Sequence, residues 1–210
     1  MPDGSRLVLV VGPSGAGKDS VIRGAQAALR GQADVVFPRR VITRPHDATG
    51  GEDHEPCDPA AFERRAAAGD FALHWQANGL RYGVPAAIDR DLAAGRAVVV
   101  NVSRAIIAEA EARYRGLQVC VITAPPSVLA ARLRARGRES AADIDARLGR
   151  ADAFAVAARH VRTISNDGAL EDSVRALVAV IAASSRDGAR LSGQTSLLPA
   201  TAGRRCPKGG

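Results

Sequence analysis

Residues 7–20, Leu-Val-Leu-Val-Val-Gly-Pro-Ser-Gly-Ala-Gly-Lys-Asp-Ser, constrain this chain more than any other stretch. An apolar run, Leu7–Val11, leads into closely spaced glycines. Val21, Ile22, Ala25, Ala28 and Leu29 then recur at helical spacing. Strand, glycine-rich loop and helix, in that order, are the setting of a phosphate-binding loop. The segment Gly12, Pro13, Ser14, Gly15, Ala16 and Gly17 lets backbone N–H groups turn inward around phosphate oxygens. The helix N-terminus adds partial positive charge, and Lys18 brings a mobile ammonium to the outer phosphates. The position after the lysine, usually a Ser or Thr whose hydroxyl touches Mg²⁺, is Asp19, and a hydroxyl follows only at Ser20.

The composition supports a chemical requirement for that lysine. Of 29 Lys and Arg residues, only Lys18 and Lys208 are lysine. A chain that uses arginine almost everywhere keeps lysine in the loop, where a slim point charge threads beside phosphates and a planar guanidinium does not. With 210 residues the chain is expected to form one domain with a substantial core. A net charge of +7 points to an anionic partner, while an aromatic content of 3% disfavours a surface that stacks single-stranded bases. No apolar run approaches membrane-spanning length, and Leu7–Val11 is too short for the core of a signal peptide, so a cytoplasmic protein is expected. Cys57, Cys120 and Cys206 are scattered and match neither a disulfide framework nor metal-ligand spacing.

Along the chain, Val35–Thr43 reads as an edge strand interrupted by Pro38, followed by a polar loop over Arg44–Pro56. That loop gathers Glu52, Asp53, His54 and Glu55 without a ligand spacing that fits a metal. Asp58-Pro59 opens a helix that Gly69 closes. Asn78-Gly79 between Phe71–Ala77 and Leu80–Val84 is a hairpin turn, and this hairpin reads as an inserted subdomain. Pro85–Ala94 reads as a helix. Ala97–Val102 and Leu117–Thr123 are continuous apolar runs, as in strands covered on both faces. Ser103 caps the helix between them. Further helices are expected at Val128–Arg136, from Asp143 onward and at Leu170–Ala183, with a short strand at Val161–Ile164. From Ser184 the sequence loses periodicity and is expected to be disordered or loosely packed. Alternating strands and helices predict an α/β fold, a parallel sheet covered by helices on both faces, with ligands at the carboxyl ends of its strands.

Two arginine clusters stand out. Arg132, Arg134, Arg136 and Arg138 surround a helix end, with Arg147 on the next helix. Arg39, Arg40, Arg44 and Arg81 bracket the hairpin. Beside a phosphate loop, two basic regions fit two phosphorylated ligands, a nucleotide donor and an acceptor, with mobile arginines closing over the transferred group. No Ser/His/Asp or Cys/His arrangement is visible. A phosphate acceptor needs no strong base, because its oxygen is already anionic near neutral pH.

These residues resemble the guanylate-kinase branch of nucleoside monophosphate kinases. The likeness rests on the loop, Thr43-Arg44-Pro45, Gly51-Glu52, Tyr82-Gly83, Pro125-Pro126-Ser127, Arg132-Leu133, Arg136-Gly137, Arg147-Leu148 and Asn166-Asp167. It spans about Arg6 to Ala183. The groups that read guanine in that branch are missing. Leu73 stands where a Glu is expected and Val84 replaces a hydroxyl residue. His54 takes the place of a phosphate-gripping Tyr, Asp47 that of a second Arg, and Asn101 that of an Asp.

The altered positions instead resemble the ribose 1,5-bisphosphate phosphokinases of phosphonate catabolism. The marks are Gly17-Lys18-Asp19-Ser20, Ile42-Thr43-Arg44-Pro45, Glu52-Asp53-His54, residues 75–84, Val100-Asn101-Val102-Ser103-Arg104, Arg136-Gly137-Arg138-Glu139-Ser140 and Asn166-Asp167-Gly168. The resemblance implies a P-loop kinase domain over residues 1–183, with an acceptor-binding subdomain at about 35–84 and an arginine-rich lid at about 132–148. It implies ATP and Mg²⁺ as cofactors and a sugar bisphosphate as acceptor, with neither nucleic acid nor membrane as partner. Residues 12–18 would hold the phosphates of ATP, with Asp19 or Ser20 on the metal and Asn166 near adenine. Lys18, Arg132, Arg136 and Arg147 would stabilise the transferred group. Arg44, Tyr82, Arg40 and His54 would hold the acceptor.

Overall fold

The strand that leads into the loop sets the layering. In a computed structural model, which describes residues 3, 5–45, 52–136 and 156–193 apart from the side chains of Arg136 and 185–193, β1 (Leu7–Val11) is buried throughout. Leu7, Leu9 and Val11 enter one core, and Val8 and Val10 enter a second on the opposite face. This two-faced burial is why the run is apolar without alternation. β7 (Ala97–Asn101) and β8 (Gln118–Thr123) flank β1 in parallel and divide their side chains the same way. β2 (Val35–Val36) and β9 (Val161–Ser165) complete a parallel sheet of order β2-β7-β1-β8-β9.

Helices cover both faces, as the alternation of elements predicts. One face packs under α1 (Lys18–Ala28), α5 (Pro126–Arg136) and α6 (Leu170–Gly193). The other packs under α3 (Ile88–Ala93) and α4 (Ile107–Arg113). α1 and α6 approach closely at Gly24, where an added methyl group would overlap Val174. β1 lies at the switch point of the sheet, because its two neighbours, β7 and β8, are reached in opposite directions. The crevice at its carboxyl end is therefore the expected ligand site.

A second sheet of order β4-β3-β6-β5 carries the hairpin. It comprises β3 (Arg40–Ile42), β4 (His54–Pro56), β5 (Phe71–Ala77) and β6 (Leu80–Pro85). Asn78 and Gly79 both have positive φ, 51° and 74°, which is the backbone a two-residue hairpin turn requires. α2 (Pro59–Ala67) starts as expected, with the Asp58 side chain accepting a hydrogen bond from the Ala61 N–H at 2.9 Å.

The larger departures from the expected boundaries are four. The run 35–43 is not one edge strand. Pro38 breaks it, so β2 joins the parallel sheet through β7 while β3 joins the second sheet through β4 and β6. The loop 44–56 ends in a strand, β4, because His54–Pro56 pairs in parallel with β3. Pro85 closes β6, and α3 begins only at Ile88. α6 continues to Gly193 rather than stopping at Ala183. Its Ser184 hydroxyl donates back to the Ile181 carbonyl at 2.7 Å, so the serines do not terminate the helix. The helix expected from Asp143 and residues 194–210 lie outside the described residues. Among the described residues no helix is long and apolar enough to cross a membrane.

Candidate active site

The loop leaves β1 at the crevice and is braced from below. Gly12 has φ +154°, and a methyl group there would overlap the Ile122 carbonyl oxygen of β8. Gly17 caps α1 in the left-handed region at φ 83°. A methyl group on Gly17 would overlap the Asn166 amide and stand 3.8 Å from Arg132 Nη1. Loop, β9 end and α5 therefore meet at one glycine. Lys18 Nζ donates to the Gly12 and Pro13 carbonyls at 2.8 and 3.1 Å, which holds the ammonium across the loop.

Arg132, on α5 beside this loop, has a buried Nη1 without a hydrogen-bond partner among the described residues. A desolvated guanidinium nitrogen is costly unless an anion satisfies it. Its place against Gly17 suits the phosphoryl oxygens of a ligand held by the loop. Arg147 and the side chain of Arg136 lie outside the described residues.

A cleft of about 320 Å³ opens from the loop towards the second sheet. It is lined by Gly12, Pro13, Ser14 and Lys18 from the loop and α1, by Arg40, Trp75, Asn78 and Tyr82 from the second sheet and its hairpin turn, and by Asn101 and Arg104. Trp75 and Tyr82 sit directly opposite each other on β5 and β6 and stack with centroids 5.3 Å apart at 6°. The described residues lining this cleft include no Asp or Glu, whereas Lys18, Arg40 and Arg104 are cationic.

The second arginine cluster is mostly neutralised by carboxylates between its members, at residues 52, 53 and 63. Arg39 pairs with Asp53 at 2.9 Å, Arg81 pairs with Glu63, and Arg40 grips both carboxylate oxygens of Glu52. Arg40 is only 7% exposed and lies 5.7 Å above the Trp75 ring and 5.3 Å above that of Tyr82. Its charge is matched internally, so it forms the wall of the cleft rather than a free acceptor ligand. Arg44 is different. It has no described side-chain partner, and its Nε is buried and unsatisfied. Among the described residues, Arg44 is the member of the cluster without a side-chain partner.

Two other expected ligands serve the framework. His54 is 1% exposed, with Nδ1 at 2.9 Å from the Glu52 carbonyl and Nε2 at 3.2 Å from the Arg44 carbonyl. Its ring ties the 44–52 connection together instead of facing the cleft. Asn166 is 3% exposed. Its Nδ2 donates to the Ala16 carbonyl at 2.7 Å, and its Oδ1 accepts from the Ser173 hydroxyl at 3.1 Å. Its amide thus links the loop, through Ala16, to α6, through Ser173. Leu73 is fully buried in the main core, which leaves its position no polar role in the cleft.

Asp19 and Ser20 stand in the first turn of α1. Asp19 lines a smaller cavity adjoining the cleft, whereas Ser20 lines neither space. Among the described residues no group of three or more His, Cys, Asp or Glu is arranged to hold a metal. A single carboxylate beside a phosphate loop is nonetheless the donor set that Mg²⁺ uses when substrate phosphates and water complete its shell. Asp19 fits that role. Ser103, Arg104 and Trp75 also line the cleft and had no assigned role in the sequence reading. For Ser103 and Arg104 the available signal was their place just beyond the carboxyl end of a strand buried on both faces.

Comparison with known proteins agrees with this architecture. No protein-family model matches the chain. A ribose 1,5-bisphosphate phosphokinase PhnN of Acidiphilium cryptum is 60% identical over 153 residues, covering 73% of this chain and 81% of that protein. The protein of the same name from Bradyrhizobium diazoefficiens is 51% identical over 176 residues, covering 84% of this chain and 87% of that one. In fold, the chain is similar to the guanylate kinase of Anaplasma phagocytophilum, with a TM-score of 0.60, 18% identity and 84% of each chain covered. An identity of 60% along most of both chains places this protein in the ribose 1,5-bisphosphate phosphokinase PhnN family, built on a guanylate-kinase-like P-loop fold.

Proposed function

We infer that this chain transfers the γ-phosphoryl group of ATP to the 1-phosphate of ribose 1,5-bisphosphate, giving 5-phosphoribosyl 1-diphosphate and ADP. An oxygen of the 1-phosphate forms the new P–O bond as the bond from the γ-phosphorus to the ADP oxygen breaks. The observation that carries this reading is the cleft lining. Cations and an aromatic stack surround it, and no described carboxylate lines it to accept hydrogen bonds from a guanine edge. A bisphosphate acceptor suits such walls, and guanine does not.

The loop backbone and Lys18 hold the β- and γ-phosphates, and Arg132 offers its unsatisfied nitrogen to the group in transfer. Arg44 binds an acceptor phosphate. Asp19 is the residue that would hold Mg²⁺, which would supply charge neutralisation when bound. No general base is required, because the attacking oxygen already carries charge near pH 7. Catalysis is therefore mainly positioning and electrostatics.

The test is product identification with ATP and either ribose 1,5-bisphosphate or GMP. The bisphosphate is expected to give the diphosphate and ADP. Faster turnover of GMP would reject the assignment. Lys18→Ala is expected to lower turnover by about 10²–10³-fold, the range for removal of one preorganised charge-stabilising donor, with the fold intact.

A further inference from the structure

Three carboxylates line the smaller cavity beside the cleft: Asp19, Glu52 and Asp53. Glu52 is held by Arg40 and Asp53 by Arg39, so both are paired with guanidinium groups. Asp19 is treated differently. Its described side-chain contact is the Asn101 amide, whose Nδ2 donates to Asp19 Oδ1 at 3.0 Å. A neutral donor fixes the direction of a carboxylate and leaves its charge in place.

The two residues come from distant parts of the chain. Asn101 ends β7 and Asp19 opens α1, and Asn101 lines both the smaller cavity and the cleft that contains Lys18. The alternatives at position 101 would each spoil the arrangement. A cationic side chain would cancel the charge. An aspartate would set two carboxylates at hydrogen-bond distance and offer no donor to hold Asp19 in direction. An asparagine keeps one negative charge, oriented, beside the phosphate loop.

We propose that Asn101 is a positioning residue, which holds the Asp19 carboxylate in place for the hydrated Mg²⁺ that accompanies the nucleotide. The role rests on the ATP reading above. Groups that orient a metal ligand typically change metal affinity by about 10–100-fold when removed. Asn101 would act in that way through Asp19, without touching the metal.

The test measures Mn²⁺ binding by electron paramagnetic resonance with a non-hydrolysable ATP analogue present, alongside binding of the analogue without metal. Asn101→Ala is expected to weaken Mn²⁺ binding about tenfold while metal-free analogue affinity is kept. Asn101→Leu, which fills a similar volume without a donor, is expected to show the same loss and covers the case in which the alanine variant fails to fold. In an Asp19→Asn background, Asn101→Ala is expected to add no further loss. Unchanged Mn²⁺ binding in the folded Asn101 variants, or losses that add in full in the double variant, would overturn the role of Asn101 alone. Wild-type protein that fails to bind the analogue, with or without metal, would overturn the nucleotide reading and this role together.

Discussion

Removal of Glu52 tests whether Arg40 is a wall or a ligand. The Arg40 side chain is 8% exposed and that of Glu52 21%, and the two form a forked, two-bond pair over the Trp75–Tyr82 stack. Loss of one partner of a buried pair costs about 3–5 kcal/mol, because the other charge stays behind without compensation. Partial access of water to the Glu52 side reduces the expectation for Glu52→Ala to about 2–3 kcal/mol. In a chain of this size each kcal/mol moves the melting temperature by about 2–4 °C, so a drop of about 4–12 °C is expected.

Arg40→Met combined with Glu52→Leu removes both charges and keeps apolar volume over the rings. It loses the cation–π contribution, about 0.5–2 kcal/mol, but leaves no orphaned charge. The double variant is therefore expected to melt above Glu52→Ala. Thermal unfolding followed by circular dichroism, without nucleotide, measures both. Glu52→Ala melting within about 2 °C of wild type, or the double variant melting below the single one, would refute the internal pairing as the reason for Arg40.

Arg44→Ala is expected to raise KM for the acceptor with little change in KM for ATP; an unchanged acceptor KM in initial-rate measurements would move that phosphate elsewhere. Gly12→Ala places a methyl group on the Ile122 carbonyl at a φ of +154°. It is expected to destabilise the fold by about 2–4 kcal/mol and to weaken nucleotide binding, both measurable in melts with and without ATP. Burial pushes the Cys120 thiol up to about 12, so it stays protonated in the folded protein. Its folded pKa lies above the unfolded value, so burial of the neutral thiol favours folding at neutral pH, and that contribution fades as the pH rises from the unfolded pKa through about 12. Cys120 is accordingly expected to resist iodoacetamide at pH 8 in native protein and to react once unfolded, as read by peptide mass spectrometry.

The parallel sheet was legible because burial on both faces writes itself as unbroken apolar runs at 7–11, 97–102 and 117–123. The hairpin was legible because Asn-Gly is chemistry for positive φ. Sheet membership was not. Val35–Thr43 has one composition, and only the partners available to each half, β7 for Val35–Val36 and β6 for Val41–Ile42, divide it between two sheets. The arginines show the same limit for the site. Local sequence displays a cluster of positive charge, while the carboxylates that neutralise Arg40 and Arg81 lie 12 and 18 residues away. Pattern alone could not tell that Arg40 is matched and Arg44 is not. His54 and Asn166 were found by likeness in position, yet their burial and hydrogen bonds to backbone carbonyls make them parts of the frame.

The split of the 35–43 run has a consequence for how such a chain can diversify. β3 enters the second sheet and β6 leaves it as antiparallel neighbours, with Val41 opposite Gly83. The whole segment 40–85 is thus spliced into the parallel scaffold at two adjacent points. It is topologically a cassette, anchored to the parallel scaffold by Ala72, Leu73 and Val84, which pack into the core shared with β1, β7 and β8. On the proposed function, the phosphate loop and the Arg40–Trp75–Tyr82 wall lie on separate stretches of the chain, so substitutions inside residues 40–85 would alter the acceptor wall and leave the loop sequence intact.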